Sequence, residues 1–259
     1  MTPSSQRVFI TGASSGIGKA LAIRYAKDGY QLTLLGRDTQ KLLELQQHLH
    51  TTYQISATTL SLDLATETGR KDAVQALQAT SHDILVNNAG FGQYGLFEDI
   101  PLAKQREMIE VNILALTELT HAAIPLMKQR GGGKILNVAS VAAFMPGPLM
   151  AVYYATKAYV LSFSEALANE LKNAHIQVSV LCPGPTATGF SHAAGLSSSK
   201  LFRDNVMTVE EVVEIGYQQF QAGSTTIIPG FTNKLFPFLV RFSPRALVPK
   251  IVRYVQEKK

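Results

Sequence analysis

Cysteine and charged residues are both scarce in this sequence, and each scarcity excludes a class of protein. The single cysteine, Cys182, cannot form a disulfide within the chain, which favours a reducing compartment. Only 17% of the 259 residues are charged and 46% are hydrophobic, which supports a buried core and argues against a disordered chain. Residues 1–6 are too short and too polar for a signal peptide. We therefore expect one cytoplasmic domain.

One uncharged run of 22 residues, 135–156, is long enough to cross a membrane, but its sequence is unsuitable. Pro146, Gly147 and Pro148 would break a spanning helix and leave backbone groups without hydrogen bonds in lipid. The run is instead predicted to form a buried strand, a loop and the start of a helix.

Short apolar runs alternate with longer amphipathic runs along the chain. The apolar runs are rich in Val, Ile, Leu and Thr, as is typical of strands in a sheet covered on both faces. The predicted strands are 7–11, 31–35, 56–61, 84–87, 134–140, 177–182 and 225–228. The predicted helices are 17–28, 39–53, 66–81, 102–129, 152–173 and 209–222. This order predicts an α/β fold with one doubly wound, mainly seven-stranded parallel sheet of the Rossmann type.

A glycine-rich segment, residues 11–18, joins the first predicted strand to the first predicted helix. Small residues let the backbone turn tightly and approach a pyrophosphate, and the helix start offers free N–H groups. The segment therefore predicts a dinucleotide site at this junction. The residues expected to bind the cofactor here are Gly12, Ser14, Ser15, Gly16, Ile17 and Gly18.

The same segment also matches G-x-S-x-G, the nucleophile elbow of α/β-hydrolases. That elbow normally follows several strands, whereas this one follows the first, and none of the six histidines stands out as a base. A hydrolase is therefore the weaker interpretation. The histidines show no metal-ligand spacing either, so no metal site is predicted.

The end of the second predicted strand bears on the choice between NADP and NAD. An acidic residue there would bind the ribose of NAD, but the sequence reads Gly36-Arg37-Asp38. The guanidinium of Arg37 can hold a 2′-phosphate with two hydrogen bonds, and Asp38 can begin the next helix as a cap. We therefore expect NADP as the cofactor, with NAD less favoured.

Four polar residues are predicted to meet beside the cofactor. Tyr153 and Lys157 are four residues apart and share one face of a helix. Ser140 ends the fifth predicted strand, where parallel sheets place reactive groups. Asn112 interrupts the apolar stripe of a long helix.

These motifs, with Asn87-Asn88-Ala89-Gly90 and Pro183-Gly184, resemble the short-chain dehydrogenase/reductase family over roughly residues 7–190. The segments 87–97 and 183–190 resemble a bacterial branch of NADP-dependent reductases in particular. The resemblance implies hydride transfer between a nicotinamide and a carbonyl or alcohol.

The resemblance also implies a role for each site residue. Tyr153 is the expected general acid/base, and Lys157 is expected to hold the nicotinamide ribose and lower the Tyr153 pKa. Ser140 is expected to bind the substrate oxygen, and Asn112 to anchor a water in a proton relay. The remaining implied cofactor contacts are Asn88, Asp63 and Leu64 on the adenosine side, and Thr186 and Thr188 near the nicotinamide carboxamide and pyrophosphate.

Apolar residues are predicted to line the substrate site. They come from the loop 141–145 and from a Ser-, Ala- and Gly-rich segment, 185–205, interpreted as a mobile flap that carries Phe190, Leu196 and Phe202. Nothing charged is predicted there, so we expect a small apolar carbonyl or alcohol substrate. The alternative function is a non-catalytic NADP-binding regulator, although a regulator needs no proton relay.

The positive charge is concentrated at the carboxyl end. Residues 234–259 contain seven basic side chains and one acidic side chain, a net charge of +6, and the rest of the chain carries −1. The chain is therefore divided into a dinucleotide-binding and catalytic domain, 1–230, and a basic amphipathic tail, 231–259, limited by three prolines to short helices. The body has no basic stripe for a nucleic acid. The tail is expected to pack over the substrate site or a homodimer or homotetramer interface, or to contact an anionic membrane or an acidic carrier protein.

Overall fold

Seven parallel strands form one sheet at the centre of the computed structural model, which describes residues 6–196 and 206–257. The strands are β1 (Arg7–Thr11), β2 (Gln31–Gly36), β3 (Ala57–Ser61), β4 (Ile84–Asn87), β5 (Gly133–Val138), β6 (Ile176–Leu181) and β7 (Thr226–Ile227). Their order in the sheet is β3-β2-β1-β4-β5-β6-β7, and every neighbouring pair is parallel. The strand order reverses between β1 and β4, which creates the crevice where such sheets bind ligands. The predicted fold class is confirmed.

Helices cover both faces of the sheet. The α-helices are α1 (Gly16–Lys27), α2 (Thr39–Tyr53), α3 (Glu67–Ala79), α4 (Leu102–Ile109), α5 (Leu116–Gln129), α6 (Ala151–Glu170), α7 (Phe190–Ala193), α8 (Val209–Gln221), α9 (Phe231–Phe242) and α10 (Val248–Gln256). Helices α1, α2 and α8 pack on one face, and α3, α5 and α6 pack on the other. In β1, Val8 and Ile10 face the first layer and Phe9 faces the second, because successive strand residues point to opposite faces.

Two predicted boundaries differ from the structure near the crevice. The predicted helix 102–129 contains a π-helical turn, Glu110–Ala115, between α4 and α5. The fifth strand ends at Val138 rather than at residue 140, so Ser140 lies in the loop beyond it and caps a short 3₁₀ helix, Val141–Phe144. The uncharged run 135–156 is thus a strand, a 3₁₀ turn and the start of α6.

Within the described part of the chain, the helical stretch Leu102–Gln129 is long and apolar enough to span a membrane by length and composition. Its Leu119, Ala123 and Met127 pack in the core beneath the sheet. One side of the stretch therefore packs into the core of this fold.

The segment predicted as a flap has structure at both ends. Thr186 forms a parallel bridge with Met207, and α7 follows two residues after Thr188. Residues 197–205 of that segment, including Phe202, lie outside the described residues. The tail forms α9, with Pro237 inside it, and α10, with a proline in its first turn.

Candidate active site

The glycine-rich loop after β1 is held in a tight turn at the crevice. Gly12 has a φ of +66°, a conformation that side chains disfavour. A Cβ at Gly18 would collide with the Gly12 carbonyl oxygen and the Asn88 amide, so only glycine fits there. Asn88 braces the turn from β4, because its Nδ2 donates to the carbonyl oxygens of Thr11 and Gly12 at 3.0 and 3.1 Å. The structure thus places the Asn88 amide on the loop backbone.

The loop opens onto the start of α1. Ser15 caps that helix without a side-chain hydrogen bond, so the first N–H groups of α1 face outward. A Cβ at Gly16 would lie 3.5 Å from the Thr188 side chain, which places the loop after β6 opposite the glycine loop. Thr186 lies deeper, and its hydroxyl donates to the Gly184 carbonyl at 2.9 Å.

The hydrolase interpretation requires a base beside Ser14. A Cβ at Gly36 would lie 3.2 Å from the Ser14 hydroxyl, so that side chain faces the end of β2. Within residues 6–196 and 206–257 no histidine hydrogen-bonds to Ser14, and the buried His82 instead pairs with Thr33. Ser14 therefore lacks the histidine base that a nucleophile elbow needs, and the hydrolase interpretation is wrong.

The ends of β2 and β3 carry the residues expected near the adenosine. Asp38 caps α2 by accepting from the Lys41 N–H at 3.1 Å and also pairs with its ammonium at 2.9 Å. The neighbouring Arg37 is exposed, and its side chain makes no hydrogen bond or ion pair in the part of the chain that the structure describes. Asp63 accepts from the Ala65 N–H at 3.0 Å, while Leu64 is buried beside it. Both strand ends lie at the same edge of the sheet.

Ser140, Tyr153 and Lys157 meet at the carboxyl end of β5. The Lys157 ammonium donates to the Val138 carbonyl at 2.9 Å and lies 5.8 Å from the centre of the Tyr153 ring. The Ser140 hydroxyl accepts from the Ala142 N–H at 3.1 Å and donates to the Pro183 carbonyl at 3.4 Å. It is also near enough to Tyr153 to lower the pKa of that hydroxyl. Tyr153 and Lys157 both belong to α6, and both side chains are buried. The structure therefore brings together the three residues predicted from the sequence.

Burial controls the protonation of this group. It raises the pKa of Tyr153 well above its ordinary value, and the hydrogen bond with Ser140 lowers that pKa by less. Burial also lowers the pKa of Lys157 to about 8. Desolvation is the largest influence on the Tyr153 pKa, and the lowering of that pKa by Lys157 stays a prediction.

Asn112 lies in the π-helical turn, buried next to Lys157. Its Nδ2 donates to the Phe91 carbonyl and to the Thr156 hydroxyl, both at 3.0 Å, and its Oδ1 accepts from the Phe91 N–H at 3.1 Å. A Cβ at Gly90 would lie 3.1 Å from Asn112 Oδ1 and 3.2 Å from Lys157 Nζ. Asn112 thus ties α6 to the segment after β4. Such π-helical turns occur frequently at functional sites.

A small cleft, with a cavity volume of about 60 Å³, extends from Tyr153. Its walls come from the segment after β4, from α4, from the start of α6 and from α10. The lining residues are Gln93, Gly95, Leu96, Phe97, Ile100, Gln105, Met108, Leu149, Met150, Ala151, Val152, Tyr153 and Arg253. Most are apolar, as a pocket for a small apolar molecule requires.

The predicted lining of the substrate site was wrong in detail. Ala142, Met145 and Leu196 are buried and do not line the cleft, and Phe190 packs against Tyr153 with ring centres 5.4 Å apart. Together they belong to a packed group that we call the tyrosine cluster. Its buried members are Met108, Ala142, Met145, Met150, Tyr153, Tyr154, Ala194, Leu196, Val248 and Val252.

Helix α10 supplies residues that the sequence analysis missed. Val248, Val252 and Gln256 form its buried side, and Gln256 donates a hydrogen bond to the Tyr154 hydroxyl. Arg253 reaches the cleft, where no charge was predicted. Packing of the tail over the substrate site was one of the alternatives expected from the sequence, and α10 takes that position, but the individual contacts of Gln256 and Arg253 were not predicted.

The crevice fits a dinucleotide. The glycine cradle that a Cβ would fill, the outward N–H groups of α1 and the exposed Arg37 are the features a pyrophosphate and a phosphate need. Among the described residues, no three His, Cys, Asp or Glu side chains are grouped to hold a metal ion.

Comparisons with known proteins agree with this geometry. Residues 6–197 match the family model for short chain dehydrogenases. Sulfoacetaldehyde reductase 2 of Chromohalobacter salexigens is 34% identical over 220 residues, covering 82% of this chain and 86% of the relative.

Two solved structures are also similar. A short-chain dehydrogenase from Sphingobium yanoikuyae in complex with NADPH has a TM-score of 0.83 and 32% identity, covering 93% of this chain and 97% of that one. The bulky-bulky ketone specific alcohol dehydrogenase from Comamonas testosteroni has a TM-score of 0.79 and 29% identity, covering 93% and 96%. A family match over most of the chain, with relatives this similar, shows that the protein belongs to the short-chain dehydrogenase family and is an NAD(P)-dependent oxidoreductase.

Proposed function

We propose that the enzyme uses NADP to interconvert a carbonyl and an alcohol on an apolar substrate, with Tyr153 as the general acid/base. The observation that carries this proposal is the position of Tyr153, which lines the apolar cleft and interacts with Ser140 at the edge of the cofactor crevice. A substrate carbonyl in the cleft can therefore reach a proton donor and a second hydroxyl.

Each polar residue has one task in this mechanism. The Ser140 hydroxyl donates to the substrate oxygen and fixes its position beside Tyr153. In reduction Tyr153 gives its proton to that oxygen, and in oxidation it takes the proton back. The raised pKa keeps Tyr153 protonated at neutral pH, which suits the donor role in reduction. The nicotinamide supplies or accepts the hydride when it is bound.

Lys157 and Asn112 support this pair. The Lys157 ammonium, held by the Val138 carbonyl, is positioned to donate to the nicotinamide ribose and to stabilise tyrosinate when it forms. Asn112 fixes the segment around Gly90 next to that ammonium. We also propose that Asn112 anchors a water in a proton relay with Lys157.

Arg37 supports NADP over NAD. It follows β2 and is exposed, and we expect it to bind the 2′-phosphate of the adenosine ribose. The similar Sphingobium yanoikuyae enzyme is described in complex with NADPH. The further proposed cofactor contacts are Asn88, Asp63 and Leu64 at the adenosine, the residues of the glycine loop at the pyrophosphate, and Thr186 and Thr188 at the nicotinamide side.

A screen of neutral ketones, aldehydes and alcohols with NADPH and NADP⁺, followed at the nicotinamide absorbance, tests the proposal. NADH and NAD⁺ serve as parallel cofactors. We expect the wild-type enzyme to turn over apolar carbonyl compounds, and we expect Tyr153→Phe to abolish this turnover. Activity that persists in this variant, or that is faster with NADH, contradicts the acid/base or the cofactor assignment respectively.

Arg253 favours a second class of substrate, a carbonyl compound that also carries an acid group. Its guanidinium lines the same cleft as Tyr153, although it also pairs with Glu257 at 3.1 Å. The relative from Chromohalobacter salexigens is named for a sulfonated aldehyde. If this class is correct, Arg253→Gln raises KM for a keto acid more than for a neutral ketone, while Lys250→Gln on the same helix does not.

The assembly is also part of the proposal. Leu102, Ile109 and Leu114 are exposed along the α4–α5 segment, which supports a homodimer or homotetramer interface there. We place the enzyme in the cytoplasm, with the tail 231–259 facing an anionic partner. Light scattering coupled to gel filtration measures the mass of the assembly in solution. A wild-type protein that is already a monomer, or an oligomer whose mass Leu102→Glu does not change, contradicts this interface.

A further inference from the structure

Helix α9 turns its apolar side away from the protein. No residue of this helix is buried, and Phe231, Leu235, Phe238 and Phe242 are 82%, 43%, 58% and 73% exposed. Their spacing of three, four and seven places them in one stripe along the helix. The Phe238 and Phe242 rings contact each other in this stripe, with centres 5.0 Å apart. With Leu239, these residues form what we call the outer face of α9.

The opposite side of α9 holds the helix on the protein. Asn233 donates to the Pro229 carbonyl at 2.8 Å, and Val240 packs against the tyrosine cluster. These contacts fix the rotation of the helix about its axis. The apolar side of α9 is therefore exposed even though the helix is packed on the protein. Contiguous exposed apolar side chains of this kind mark a surface that contacts a protein or a membrane.

Two cations line one side of the outer face. Lys234 and Arg241 lie on α9 about 80–100° from the centre of the stripe, at 100° per residue. Arg245 and Lys250 follow in the next loop and helix. From residue 231 onward the chain has one acidic side chain, Glu257, and it pairs with Arg253. The tail that carries the stripe therefore has a strongly positive net charge.

The positive charge indicates which kind of surface covers the outer face of α9. A second copy of the chain would bring the same cations against each other, and a flat protein surface would need a matching apolar groove. A bilayer that contains anionic lipid supplies both components, because acyl chains receive Phe and Leu while head groups neutralise Lys and Arg. We propose that α9 lies in the surface of such a bilayer with its outer face inserted. This inference does not depend on the proposed substrate.

Docking through α9 places the cleft close to the lipid. Val240 of α9 packs against the tyrosine cluster, which contains Tyr153 and Val252 of α10, and Arg253 lines the cleft. Helix α9 and the candidate active site therefore lie at the same end of the molecule.

Co-sedimentation of the full-length protein with vesicles tests the proposal. One set contains phosphatidylcholine alone and the other contains phosphatidylcholine with phosphatidylglycerol. We expect binding to the mixed vesicles that weakens with salt, and a loss of about tenfold or more in affinity for Phe231→Ser/Phe238→Ser/Phe242→Ser. Lys234→Gln/Arg241→Gln should reduce both the affinity and its salt dependence.

Matched controls keep the result interpretable. Leu43→Ser changes a similarly exposed apolar residue on α2 and should leave vesicle binding unchanged. Circular dichroism verifies that the triple variant folds. The proposal is overturned if the wild type ignores the mixed vesicles or if the triple variant binds them as well as the wild type. A wild-type dimer that the triple variant turns into a monomer, without vesicle binding, identifies a second copy as the occupant instead.

Discussion

Gln256 in the last helix donates a hydrogen bond from its side-chain amide to the hydroxyl of Tyr154, the neighbour of Tyr153 in α6. Both side chains are buried, and Gln256 is only 1% exposed. Burial raises the pKa of Tyr154 to about 12, so the hydroxyl stays protonated at neutral pH and the bond joins two uncharged groups. The carboxyl-terminal helix is therefore attached to the helix that carries the candidate acid/base.

Gln256→Ala is expected to lower the free energy of unfolding by about 1–3 kcal/mol, because it leaves the Tyr154 hydroxyl buried without this partner. Urea denaturation measures the loss. Gln256→Ala/Tyr154→Phe removes both partners and should recover part of the stability. Equal stabilities for the wild type and the single variant would mean that α10 is not held by this bond.

Tyr153→Phe is expected to reduce turnover by about 10²- to 10⁴-fold, the range that general acid/base groups contribute. Cofactor affinity should change little, because only the hydroxyl is removed. Stopped-flow turnover and fluorescence titration with NADPH measure the two quantities separately.

Tyr154→Phe is the matched control for this substitution. It removes an equally buried hydroxyl from the same helix turn, so it should affect stability without removing turnover. If Tyr154→Phe is the inactive variant, the acid/base role belongs to Tyr154.

The pH dependence of cofactor binding follows from Lys157. Burial lowers its pKa to about 8, so the ammonium is present below that pH and is lost as the pH rises through it. If the charged form binds the ribose, NADPH affinity should fall above about pH 8. Lys157→Ala should bind the cofactor more weakly at low pH and should lack this fall. The same fall in the variant would assign it to another group.

The sheet and the Tyr153–Lys157 pair could be predicted because both depend on local spacing. Continuous apolar runs specify strands buried on two faces, and residues four apart share a helix face whatever surrounds them. Ser140 was expected at a strand end and lies two residues beyond one, which still brings it to the same edge.

The π-helical turn and the cleft could not be predicted because both depend on distant contacts. The turn contains Asn112, whose amide bonds to Phe91, 21 residues earlier in the chain. The cleft received Arg253 because Val248 and Val252 dock α10 on the tyrosine cluster. Amphipathic periodicity indicates that a helix has a buried side but does not identify the surface that buries it.

Arg37→Ala is expected to lower the preference for NADP over NAD by about tenfold or more, since a charged hydrogen bond to the 2′-phosphate is lost. The measurement is kcat/KM or affinity for both cofactors. Lys41→Ala is the matched control, because it removes a cation four residues away that already pairs with Asp38. If the control shifts the preference equally, the effect comes from general electrostatics rather than from a contact of Arg37. Equal losses with both cofactors in Arg37→Ala would make that residue structural and would contradict the NADP assignment.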